Sequence, residues 1–328
     1  MRGAGVYLVL GLAVLVGAAL SLTVTRSGLP LMHDLWDLWD TDPESAGLIL
    51  WQLRVPRMLL AILIGGALGI SGAALQGLLR NPLAEPGITG ASAGAAFCAI
   101  LAFYFGFADD FPLALPLAGI AGALIAVTLL YVAAGRGAPT LTLILAGVAI
   151  SAIAGALSSL ALNLAPSPYA AIEIVFWSLG SLTDRSMTHV LLAAPFIVVG
   201  AAMILTAGRG LDALTLGEEA AEAMGAHLTR TRFLVVVGTG LAVGASVSVS
   251  GVIGFIGLVA PHLLRPFLGH RPAALLPASF LGGAALLLFA DAIARYLSPG
   301  PELKIGVVTA LVGAPFFLWA VFASRRDA

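Results

Sequence analysis

Ten apolar stretches punctuate this chain, each near the roughly 20 residues that a helix needs to cross the hydrocarbon core of a bilayer. They cover 6–23, 58–79, 89–107, 112–134, 140–164, 187–207, 233–250, 252–267, 273–296 and 305–323. Composition agrees: 60% of the 328 residues are hydrophobic and 10% are charged, where a soluble domain carries about 25% charged residues. The reading is an all-α polytopic membrane protein with about ten transmembrane helices, forming one transmembrane domain over 1–328. The 39 glycines suit close helix–helix contact in lipid.

The connecting segments add direction. Arg2 precedes the first stretch, which has no clear small-x-small cleavage site and reads as a retained anchor. Residues 25–57 carry Asp34, Asp37, Asp40, Asp42 and Glu44 among Trp36, Trp39 and Trp51, the pattern of an interfacial loop on the outer side. Two prolines make a tight turn of Arg80-Asn-Pro-Leu-Ala-Glu-Pro-Gly87. Residues 166–185 are too amphipathic to cross and read as a short helix at the outer interface. The stretch 252–267 is short, Gly-rich and broken by Pro261, so it is expected to enter the bilayer as a short or irregular helix.

With the N-terminus inside, ten basic residues fall inside and six outside, as the positive-inside rule requires. The inner ten are Arg2, Arg80, Arg136, Arg209, Arg230, Arg232, Arg265, Arg271, Arg325 and Arg326. The acids, eleven outside and six inside, run the other way. Removing the eighth span would put Arg325 and Arg326 outside and spoil the split. Spans 2–5 and 7–10 then start on opposite sides, as an inverted repeat would.

Between spans 6 and 7 lies one long polar, helix-friendly island, 211–232. Ala, Leu, Glu and Met favour helix, and Gly217 and Gly225 interrupt it. Glu218, Glu219 and Glu222 cluster on it. A solvated amphipathic loop and a docking structure both fit this composition.

Several functions are excluded or disfavoured. The single cysteine, Cys98, rules out an intrachain disulfide framework, and the five histidines lack metal-ligand spacing. No metal site or cofactor on this chain is indicated. Lys304 is the only lysine and is followed by Ile305, so no nucleotide-binding P-loop exists and an energy source must lie on another chain. Gly90-Ala-Ser-Ala-Gly94 fits the Gly-x-Ser-x-Gly pattern of an intramembrane serine hydrolase, with His262 far along the chain. That pattern is a nucleophile elbow only on a strand-to-helix turn, and here it opens a Gly/Ala-rich helix. An ion-coupled secondary transporter would hold an ionisable group deep in the membrane. Asp291 is the one candidate, near the outer end of its span.

Three further stretches narrow the class: Trp51-Gln-Leu-Arg-Val-Pro-Arg57 leading through 65–77 to Gly87; Ser250-Gly-Val-Ile-Gly-Phe-Ile-Gly-Leu-Val-Ala-Pro-His-Leu-Leu-Arg265; and Gly306-Val-Val-Thr-Ala-Leu-Val-Gly-Ala-Pro-Phe-Phe317. With the island they closely resemble the FecCD family, permeases of type II ATP-binding cassette (ABC) importers for iron–siderophores, haem and cobalamin. The resemblance runs in order from Ile49 to Trp319. It implies a single permease domain, a homodimer, two cytoplasmic ATPase subunits carrying ATP and magnesium, and a periplasmic binding protein. It also implies the bacterial inner membrane, with both termini cytoplasmic.

The resemblance implies sites as well. Residues 208–232 become the ATPase-coupling segment, with Leu216, Gly217, Glu218, Glu219, Ala220, Ala221, Glu222 and Gly225 in the contact. A cytoplasmic gate falls on Asn81 and Leu83 and on Thr140 and Leu141, where Leu141 replaces the hydroxyl residue of cobalamin-importing members. Asn81 equally suits plain turn capping. Arg54, Arg57 and Arg295 match arginines that receive acidic residues of the binding protein. Snorkelling and an Asp291–Arg295 pair at i,i+4 spacing account for the same arginines without a partner.

Overall fold

The computed structural model describes residues 2–23, 39–107, 111, 113–135, 138–165, 167–269, 271–298 and 303–324. Arg26, His33, Asp34, Trp36, Asp37, Asp109, Asp110, Arg136, Pro166, His270, Arg325 and Arg326 lie outside them, so part of the charge asymmetry does too.

The chain folds into helices α1 (Arg2–Thr23), α2 (Pro43–Leu79), α3 (Ala91–Tyr104), α4 (Ala114–Ala134), α5 (Thr140–Asn163) and α6 (Pro168–Ser178). They are followed by α7 (Met187–Thr206), α8 (Gly208–Leu214), α9 (Glu218–Ala223), α10 (Leu228–Ser250), α11 (Ile256–Leu264), α12 (Pro272–Tyr296) and α13 (Ile305–Ser324). Among the described residues, seven helices are long and apolar enough to cross a membrane: α1, α2, α4, α5, α7, α10 and α12. α3 and the Ile305–Leu318 part of α13 are shorter apolar helices. Each expected stretch therefore has a helix, but not each a full crossing.

One expectation needs correction. The polar stretch before Met58 is not all loop. Asp42 caps a helix at its start, accepting from the Ser45 amide at 3.2 Å, and Pro43 sits where its missing N–H costs nothing. The helix then runs through a π-helical turn at Ile49–Arg54 into the apolar part. The stretch 252–267 is the short, irregular helix expected of it, not a full span. Gly251 leaves α10 with φ +73°, Phe255 turns left-handed at φ +67°, and α11 has only 9 residues, about 13 Å of rise.

Glycine sets how closely the helices pack. α2 and α12 meet backbone to backbone at Gly65 and Gly283: a Cβ on Gly65 would lie 2.4 Å from the Gly283 carbonyl oxygen. Lower on α2, a Cβ on Gly72 would lie 1.8 Å from the Gly257 oxygen of α11. No side chain fits at either place, so contact between bare backbones supplies the attraction. Leu60, Ile64, Ile70, Leu276 and Leu287 fill the buried interior beside these seams. Exposed leucines such as Leu12 and Leu145 face outward, as they do where lipid or another membrane subunit replaces water.

The two halves share a pattern. α2 and α10 are each followed by a segment ending in a left-handed residue, Gly90 (φ +79°) and Phe255 (φ +67°), and then by a short helix, α3 or α11.

Candidate coupling segment, gate turns and charged end

The island folds as two short helices, α8 and α9, hung between α7 and α10. Leu211, Leu214 and Ala221 are buried and pack with Leu75, Leu78, Leu275 and Leu276. Asp212 fastens the segment to the start of α12, accepting from the Ala273 amide at 2.8 Å. Gly217 opens α9 at φ +104° and Gly225 closes it at φ +82°, a region that costs other residues strain. The remaining face looks outward. Glu219, Glu222 and Gly225 are exposed, and Leu216 and Met224 are 67% and 57% exposed at the two ends of α9. Of the adjacent alanines, Ala221 is core and Ala220 half-exposed.

Glu218 points back into the bundle. Its carboxylate accepts from Arg232 at 2.8 Å and from the Thr140 hydroxyl at 3.0 Å. The Arg232 guanidinium holds the Glu218 carboxyl below the usual carboxylate range; Thr140 and the charge of Arg80 act in the same direction. A depressed carboxyl keeps its contact above its ordinary pKa and loses it as pH falls through the lowered value, so the contact is intact near neutrality.

The two turns expected to form a gate sit at this same end. Arg80 ends α2 in a left-handed conformation (φ 47°), and Asn81 Oδ1 accepts from the Leu83 amide at 2.9 Å. That is the capping role its residue type suggested. Leu83 and Leu141 are exposed. The structure thus brings Thr140 onto Glu218, while Asn81 closes its own turn.

The three arginines lie at the other end of α2, where the 20 positions from Arg57 to Gly77 rise about 30 Å. Arg57 donates to Asp291 Oδ1 at 2.7 Å through Nη2, and Arg295 donates to Asp291 Oδ2 at 2.9 Å. Arg295 also reaches the Ser21 carbonyl at 2.9 Å, and Arg54 donates to the Leu22 carbonyl, so the cluster holds α1 in place. Asp291 is fully buried, and Arg295 and Arg57 are 8% and 11% exposed. The expected i,i+4 pair is present. The acid that an ion-coupled carrier would use is therefore engaged by two guanidinium groups.

Ser92 lies in the first turn of α3, and His262 packs edge-on against the Phe316 ring at 5.5 Å. Among the described residues no strand precedes Ser92, so the elbow geometry of a serine hydrolase is missing there. An open cleft of about 590 Å³ separates the bend before α11 from α13, lined by Leu179, Val252, Phe255, Val307, Ala310 and Leu311.

Residue reasoning missed several contacts. Arg232 as the partner of Glu218 and Asp212 as the cap of α12 join positions with no regular spacing. The same holds for Glu85, which accepts from the Phe255 amide at 3.0 Å, and for Gln76, bonded to Arg265 at 2.5 Å. Nothing in the linear sequence marks these pairs.

A multi-helix bundle with a broken span, an apolar cleft and a polar helix pair fastened to its core defines a polytopic transport subunit of the membrane. The chain belongs to the FecCD transport family, whose model matches residues 12–323. It is 37% identical to the hemin transport system permease protein HmuU of Yersinia pestis over 325 residues, 98% of this chain and 97% of that one. It is 39% identical to the vitamin B12 import system permease protein BtuC of Vibrio cholerae over 310 residues, 93% of this chain and 91% of that protein. A metal-chelate type ABC transporter solved in an inward-facing conformation superposes with a TM-score of 0.84 at 32% identity, covering 98% of this chain and 99% of that chain. The chain is a multi-pass permease subunit of an ABC importer, and the family is not one of enzymes.

Proposed function

We propose that this permease moves an iron chelate, haem or a corrinoid inward across the bacterial inner membrane, with both termini cytoplasmic. The observation that carries this reading is the likeness, over nearly the full chain, to permeases named for hemin and vitamin B12. The apolar cleft beside α11 supports it, because a lining with few polar groups holds a large, hydrogen-bond-rich cargo weakly and lets it pass. Two copies pair as a homodimer. The exposed small residues Ala152, Gly155, Ala156 and Ser159 on α5, with open space around Gly155, favour a second helix approaching there. ATP and magnesium reside on two partner ATPases, which grip the exposed face of 208–232.

The test is reconstitution in proteoliposomes with the ATPase subunits and a binding protein loaded with haemin or cobalamin. Uptake should require internal ATP. Uptake driven by an ion gradient without the ATPases would overturn the reading.

The loaded binding protein docks at the charged end through Arg54, Arg57 and Arg295. Because Arg57 and Arg295 are already paired with Asp291, long-range steering rather than direct exposure is the role assigned to them. Arg54→Glu is expected to slow binding-protein association about tenfold at low ionic strength, with the difference shrinking in added salt. An association rate that ignores both the substitution and salt would remove these arginines from the docking surface.

Gly225 tests the grip. Nothing lies within 4 Å of a Cβ placed there, so its surroundings are open to a partner. Gly225→Val is expected to cost about 1–2 kcal/mol of backbone strain and to lower uptake per ATP hydrolysed in the reconstituted complex. Normal coupled transport by that variant would count against the assignment.

A further inference from the structure

Three elements converge on one side chain. Glu218 is the first residue of α9. Its Oε1 takes the Thr140 hydroxyl, on the first residue of α5, at 3.0 Å and the Arg232 guanidinium, near the start of α10, at 2.8 Å. Arg80, at the end of α2, comes to 4.0 Å from a Cβ built on the neighbouring Gly217. The donors differ in character. Arg232 is 9% exposed on a helix that is mostly buried, whereas Thr140 opens a helix whose following residues, Leu141 and Leu145, are 65% and 61% exposed. One contact thus anchors Glu218 to the mostly buried α10, and the other reaches α5, which is largely exposed in the single chain and which the homodimer reading places against the second copy. Arg232 Nε is buried and has no acceptor among the described residues.

We propose that Glu218 is a positioning residue that clasps the inner end of α5 to the coupling segment. When the partner ATPases shift α9, the clasp carries the shift to Thr140 and Leu141. This rests on the reading that 208–232 is the ATPase contact. A two-state element needs an attachment that is strong but exchangeable. A charge-assisted contact to a partly exposed carboxylate has that property, where a buried apolar seam does not. Near neutral pH the lowered Glu218 pKa keeps the carboxylate ionised.

The test uses the assembled permease–ATPase complex in nanodiscs and needs no cargo. A water-soluble maleimide reports on Leu141→Cys in a Cys98→Ala background, Cys98 being the chain's one cysteine. Labelling is timed with and without ATP and magnesium. The parent is expected to change its labelling rate with nucleotide by about fivefold or more. Glu218→Ala and Thr140→Val should each lose most of that change, and the pair together should lose no more than either alone, because both remove the Glu218–Thr140 contact. Thr140→Ser keeps the hydroxyl and should keep the response, which a purely steric role for the threonine methyl would not predict. A full nucleotide response in Glu218→Ala, additive losses in the pair, or no response in the parent would each overturn the proposal. Ala220→Trp separates this from the underlying reading. If Ala220→Trp still binds the ATPases normally, the coupling segment itself is misassigned and the clasp falls with it. If Ala220→Trp blocks assembly while Glu218→Ala responds fully, only the clasp is wrong.

Discussion

Asp291→Ala is expected to destabilise the folded permease by about 3–5 kcal/mol, the usual cost of removing one partner from a buried ion pair. The carboxylate is fully buried and shared by Arg57 and Arg295, so its loss removes the acceptor that both guanidinium groups use from inside the bundle. The same cluster ties α1 to the bundle through the Ser21 carbonyl. The loss should therefore appear as reduced resistance to thermal or denaturant unfolding in detergent, with α1 released first. Asp291→Asn should recover part of the stability, since it keeps one acceptor oxygen. Replacing Arg57, Asp291 and Arg295 together by apolar residues of similar volume should recover more, because it also removes the charges that were desolvated. Wild-type stability in Asp291→Ala would mean that the arginines are held mainly by other groups.

Gly72→Leu should be comparably severe for a different reason. Its first side-chain carbon would fall 1.8 Å from the Gly257 carbonyl oxygen, a distance at which backbone must move. Overpacking costs about 1–3 kcal/mol where side chains can yield, and more where none can. α11 is the element that must retreat, and with it the bend at Phe255 that lines the apolar cleft. The expected result is poor accumulation of folded protein, and lost uptake in whatever fraction folds. Gly72→Ala, with one carbon, should show a smaller loss in the same direction. Tolerance of leucine at this position would show that α2 and α11 are not in backbone contact.

Much of this was legible from residues. Apolar length located the spans, because lipid forces each one to satisfy its backbone internally as a helix. Gly217 and Gly225 bounded a short acidic helix, because a left-handed turn there suits glycine. The Asp291–Arg295 pair followed from i,i+4 spacing. The early start of α2 was less legible, since tryptophans and acids suit an interfacial helix as well as a loop. The shortness of α11 was legible only in part. Gly251 and Pro261 announced irregularity, but the length of the broken piece depends on Glu85 accepting from the Phe255 amide across 170 positions.

By itself, then, the sequence determined that this chain lives in a bilayer, roughly where it crosses, and which polar segment interrupts the crossings. Those properties follow from local hydrophobicity and backbone preference, which each stretch carries alone. Only the tertiary structure decided that Arg57 and Arg295 share one buried carboxylate, that Gly72 meets Gly257, and that Glu218 reaches Thr140 and Arg232. Such contacts arise where separate helices cross, and the crossing point is set by the packing of the whole bundle rather than by any spacing along the chain.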